Sequence, residues 1–91
     1  MIGSFADKET ERLWNTGHSR IFSTIARPAL RRLIQLNAAE SLNDLKAPPG
    51  NHLEALSGNL ASYHSIRINR QWRICFQWTT RPEKVSIQDY H

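Results

Sequence analysis

The residues best equipped for chemistry lie at the end of the chain and on one basic strand before it. Asp89-Tyr90-His91 close the sequence, and Arg73 sits in the run Trp72-Arg73-Ile74-Cys75-Phe76. Arginine presents a planar fork of donors that matches pairs of phosphate oxygens, so Arg73 is a candidate phosphate clamp. A histidine with an ordinary pKa changes charge near neutrality. The terminal carboxylate beside His91 favours its protonated form, which suits a general acid. Tyr90 can stack on a base, take part in catalysis or pack at the end of a sheet. Asp89 can orient His91 or Arg73, or remain a solvated acid at a strand end.

The charge distribution supports a polyanionic partner. The formal net charge is +4, with nine arginines against three lysines. No acid lies between Glu11 and Glu40, a stretch that holds Arg12, Arg20, Arg27, Arg31 and Arg32. None lies between Glu54 and Glu83, where Arg67, Arg70, Arg73 and Arg81 fall. Two separate acid-free blocks favour a phosphate-bearing partner over a merely solvated basic surface. The 91 residues suffice for a single domain spanning 1–91 and one modest core. A single cysteine, Cys75, excludes an internal disulfide and any multi-cysteine metal site. No apolar run approaches bilayer-spanning length, and Met1 to Asp7 lacks the pattern of a secretion signal, so a cytoplasmic location is expected.

Elements must bring these residues together. Met1 to Phe5 alternates and reads as an edge strand. Residues 7–16 read as a helix with acids in its first turn and Gly17 placed to end it. A second helix is expected over 25–39, with Leu30, Leu33, Ile34 and Asn37 on one stripe and Pro28 near its start. Ser41 and Asp44 form a cap pair opening a short turn from Leu42 to Lys46. Pro48-Pro49-Gly50-Asn51 is a loop. The period then changes to two. Tyr63 to Ile68, Trp72 to Trp78 and Val85 to Gln88 read as strands, joined by turns at 69–71 and 79–84. Helices followed by an antiparallel meander give an α+β domain, with the edge strand and helices on one sheet face.

The spacing also implies a register. A three-residue turn places Ile66 opposite Ile74 and Arg67 opposite Arg73. If Phe76 then faces Ile87, Tyr90 lies opposite Arg73. Arg67, Arg73 and Tyr90 would form one row on the face without helices. Two opposed arginines repel unless an anion sits between them or both splay into water.

The combination of residues is similar to a known family. Tyr63-His64-Ser65-Ile66-Arg67-Ile68-Asn69, then Trp72 to Phe76, then Asp89-Tyr90-His91, resembles the HigB branch of the RelE-like toxins. Ile2-Gly3-Ser4-Phe5 and Leu53-Glu54-Ala55-Leu56-Ser57-Gly58 match in place. The resemblance implies a RelE-like fold and a ribosome-dependent endoribonuclease that cuts messenger RNA and arrests translation. It implies no metal or organic cofactor. It also implies a helix-turn-helix antitoxin (HigA-like) as partner, with operator DNA bound only through their complex.

Cleavage of RNA by its own 2′-hydroxyl needs a base, a cation for the phosphorane charge and an acid for the leaving 5′-oxygen. Arg73, His91, Tyr90, Asp89 and Glu54 are the catalytic candidates. Arg67, Arg70, His52 and Arg31 are the candidates for RNA contact. One departure is notable: some relatives carry a histidine where this chain has Glu54, and position 57, basic in some, is Ser57. Glu54 can serve as base, or His52 can fill in. Arg27, Arg31 and Arg32 can touch ribosomal RNA or the antitoxin, or form a solvated helix face. His18 and His64 read as structural or surface residues, and Cys75 as a small filler. A protein that occupies the ribosome without cutting is the alternative. No helix-turn-helix pattern supports a DNA-binding regulator.

Overall fold

A computed structural model describes residues 1–90 of the chain. Two helices, α1 (Lys8–Thr16) and α2 (Ala26–Ala38), pack on a four-stranded antiparallel sheet. The strands β1 (Glu54–Ala55), β2 (Tyr63–Arg67), β3 (Trp72–Trp78) and β4 (Pro82–Asp89) lie in sequence order. This is the expected α+β architecture. No helix among the described residues is long and apolar enough to cross a membrane.

Local chemistry fixes the helix ends. The Asp7 carboxylate caps α1, accepting from the Thr10 N–H at 2.7 Å. Gly17, at φ 78, returns its N–H to the Leu13 carbonyl at 2.8 Å, a left-handed turn that suits a residue without Cβ. In α2, Pro28 falls in the first turn, where a missing N–H leaves no helical bond unmade. Ala29, Leu33 and Leu36 are the buried stripe of this helix. The expected stripe was rotated from this one: Ile34 is 57% exposed, and Asn37 turns its side-chain oxygen to accept the Ile2 N–H at 3.0 Å. Ser41 and Asp44 do form a capping box, opening a tight 3-10 turn over Leu42–Lys46.

The core lies between helices and sheet. Leu13, Phe22, Ile25, Ala29, Leu33, Leu36 and Leu45 meet Ile66, Ile68, Ile74, Phe76, Val85 and Ile87. Phe22 meets Trp72 edge-on at 5.8 Å between ring centroids. His64 stacks on Phe76 at 6.3 Å, a packing role on this same side. Thr10 is fully buried within α1, where its hydroxyl accepts the Ile87 N–H at 3.1 Å and so ties helix to sheet.

The first segment makes one parallel bridge, Phe5 to Val85, rather than a strand. Its backbone still covers the free side of β4: Gly3 donates to the Pro82 carbonyl, Ala6 to that of Val85, and Val85 to that of Ser4. An edge strand covered in this way offers fewer open groups to other chains.

Ile66 pairs with Ile74, and Arg67 with Arg73, as the three-residue turn requires. The β3–β4 register differs from expectation. Arg73 pairs with Gln88, Ile74 with Ile87 and Trp72 with Asp89. Two causes combine. The strand β4 begins at Pro82, so the connection is shorter than the expected 79–84 turn. A bulge between Cys75 and Gln77 then adds one residue on β4, where Lys84 adopts φ 52. The net slip is two residues, which keeps every side chain on its face but moves Tyr90 one step beyond Arg73's direct partner.

Candidate functional site

On the sheet face away from the helices, two rows of side chains run across the strands. One joins Glu54, Ser65, Cys75 and Ser86; the next joins Arg67, Arg73 and Gln88. The face is not bare. The segment from Pro48 onward folds over its β2 side, and Ser65, Arg73, Cys75 and Ser86 are all buried.

Arg73 is the centre of this arrangement. It is 6% exposed, far from the splayed surface arginine that alternation alone allows. Its Nε donates to the Ser65 hydroxyl at 2.8 Å, and Nη2 donates to the carbonyls of His52 and, at 3.3 Å, Ser65. Nη1 faces the Glu54 carboxylate at 3.6 Å. The Tyr90 ring packs against the guanidinium, 5.5 Å from Cζ to centroid, a favourable cation–π contact. The slipped register thus keeps Arg73 and Tyr90 together, as diagonal rather than opposed neighbours.

Burying a charged guanidinium requires partners for its donors, or the desolvation cost destabilises the fold. The loop supplies them. Asn51, fully buried, donates from Nδ2 to the carbonyls of Leu45 and Ala47, both at 3.2 Å. That pins the turn so that His52, in a left-handed conformation at φ 44, aims its carbonyl at Arg73. The loop then continues into β1, which places Glu54. Asn51→Ala is expected to lower stability by about 1–3 kcal/mol, read as an earlier midpoint in urea unfolding, because two buried carbonyls lose their donor. An unchanged midpoint would show that the loop holds its shape without this residue.

The other candidates separate. The Arg67 Nε donates to the Asn69 carbonyl at 3.0 Å, so Arg67 turns along the β2–β3 connection rather than toward Arg73. Arg70 is exposed in that same connection. Asp89 accepts from the Gln71 amide at 3.1 Å across the strand ends. The His52 side chain is exposed, and its role at Arg73 is through the backbone. Arg31 is exposed on α2, in the helical layer and across the sheet from Arg73. Arg32 links the layers, donating to the Arg67 carbonyl at 2.9 Å. His91 lies outside the described residues.

Burial pushes the Cys75 thiol up, while the charge of Arg73 pulls it the other way. No group of three or more metal-ligating side chains occurs among the described residues. Ser65 and Asn51 are the participants that sequence reading did not single out, and Gln88, next to the closing Asp89-Tyr90-His91, was given no role of its own. Ser65 and Gln88 were legible in principle, since each sits on the Arg73 face by strand alternation. Asn51 was not, because a loop asparagine gives no sign of burial.

The family model for the RelE-like toxin of the type II toxin–antitoxin system HigB matches residues 3–91. The chain belongs to the HigB-like toxin family. Toxin HigB-1 of Vibrio cholerae serotype O1 is 43% identical over 92 aligned positions, covering 99% of this chain and 94% of that protein. An uncharacterized protein of Haemophilus influenzae is 37% identical over 89 positions, covering 96% of this chain and 88% of its own length. Membership in the HigB-like family makes this chain the toxin of a type II pair, and such a toxin has a cognate antitoxin. The buried arginine, the acid and the aromatic ring described above are therefore features of a HigB-like toxin.

Proposed function

We propose that this toxin is a ribosome-dependent endoribonuclease that cuts messenger RNA and thereby halts translation. The observation that carries the reading is the buried Arg73, held by Ser65 and the His52 carbonyl with Glu54 and Tyr90 beside it. A guanidinium fixed in a partly dry site stabilises developing phosphorane charge more effectively than a mobile surface cation. Nη1, separated from Glu54 by more than a hydrogen-bond length, is the corner where a phosphate oxygen can enter.

The chemistry then runs on side chains alone. Glu54 takes the proton of the RNA 2′-hydroxyl. The 2′-oxygen bonds to phosphorus, the bond to the 5′-oxygen breaks, and His91 gives that oxygen its proton. The products are a 2′,3′-cyclic phosphate and a 5′-hydroxyl end. Arg73 bears the charge of the intermediate geometry, Tyr90 stacks on a base, and Asp89 orients the chain end. Arg67 and Arg70 meet the RNA backbone at the rim, and Arg31 meets ribosomal RNA or the antitoxin from the helical layer. The antitoxin is a HigA-like helix-turn-helix protein, and operator DNA is engaged only through the complex. The setting is the cytoplasm.

The test is a map of 5′ ends after brief induction. Cuts confined to translated regions and in phase with codons are the expected result. Growth arrest with intact messages would favour the non-cleaving alternative.

A further inference from the structure

Beside Arg73 lies a cavity of about 470 Å³, within the size range of small-ligand sites. Its floor is Cys75 and Ser86, both buried, and its walls include Tyr63, Tyr90 and Leu60. Gln88 stands on its rim. Three features tie it to the clamp. Gln88 is the direct cross-strand partner of Arg73. Cys75 is two residues along β3 from Arg73, roughly 7 Å at the usual strand rise. The Tyr90 ring is shared, packing on the guanidinium and lining the cavity.

We propose that this cavity is a nucleobase subsite and that Gln88 is its specificity-determining residue; the proposal rests on the RNA-cutting reading above. Aromatic walls accept a planar ring by stacking, whatever its identity. The floor holds no charged side chain: burial favours the neutral form of the Cys75 thiol, and the Ser86 hydroxyl accepts from the Gln88 amide at 3.0 Å, a surface suited to an uncharged ring. The phosphate belongs to Arg73 next door. The base belongs in the slot, within one nucleotide's reach. The Gln88 side chain carries a donor and an acceptor together, which is what pairing with one edge of a base requires. Lys84 and Asp89 both line the cavity, so its two charged side chains balance and neither sign of ligand is favoured over an uncharged ring.

The test uses the purified full chain and nuclear magnetic resonance, with the four nucleoside 5′-monophosphates and ribose 5-phosphate as probes. Base-bearing probes are expected to shift the amides of Tyr63, Cys75 and Ser86, while ribose 5-phosphate moves only the surroundings of Arg73. Gln88→Leu, at an exposed position, is expected to weaken the preferred monophosphate about fivefold, the worth of one neutral hydrogen bond. Tyr63→Ala is expected to weaken all four alike. Identical shifts with and without a base, or unchanged affinities in Gln88→Leu, would overturn the subsite. The 5′-end map tests the cutting itself, so base-dependent shifts without cut messages would defeat the enzyme reading and leave the cavity's ligand class standing.

Discussion

Arg73→Ala is expected to reduce message cleavage by about 10²–10³-fold, the usual cost of removing one donor from developing anionic charge. It is also expected to lower stability by about 1–3 kcal/mol, because the Ser65 hydroxyl and the His52 carbonyl lose their donor in a buried setting. The two effects can be separated with Arg73→Lys. Lysine keeps the charge but lacks the planar fork that reaches Ser65, His52 and Glu54 at once. Its stability should fall between wild type and alanine, while cleavage stays close to the alanine level. Cleavage by Arg73→Lys at wild-type rate would show that charge alone suffices and that the fixed geometry is incidental.

Glu54→Gln is expected to lower cleavage without the loss of stability. The Glu54 side chain is 54% exposed and meets Arg73 at 3.6 Å, so the pair contributes no more than about 1 kcal/mol to the fold. The substitution preserves shape and should leave the unfolding midpoint nearly unchanged. Cleavage should nevertheless fall by about 10²–10⁴-fold, the range for loss of a general base. His52→Ala should have a small effect on rate by comparison, since His52 reaches Arg73 through its carbonyl and its ring is exposed. If instead His52→Ala abolishes cleavage and Glu54→Gln does not, the base is the histidine.

Much of the fold could be read from periodicity. The caps at Gly17 and Ser41 are local hydrogen-bond problems with local solutions, and they sit where the sequence placed them, while Asp7, expected inside the first turn, is instead the cap of α1. The Ile66–Ile74 pairing followed from a three-residue turn between alternating strands. What failed were features set by tertiary contacts. A bulge at Lys84 and a strand starting at a proline leave no alternation to read, so the last register slipped by two. The strand Glu54–Ala55 is too short to show a period and exists because it pairs with β2. In the site, residue types named Arg73 and Tyr90 and the family resemblance named Glu54, and the fold brings the three together. They could not reveal that Arg73 is buried, because its partners are backbone carbonyls from a loop pinned by Asn51.

The decisive measurement uses purified toxin, programmed ribosomes and a defined message carrying a single 2′-deoxynucleotide at the mapped cut. The ordinary message should be cut to give a 2′,3′-cyclic phosphate and a 5′-hydroxyl end, and the substituted message should stay intact at that position. Cutting of the substituted message at the same rate would contradict an attack by the 2′-oxygen across Arg73.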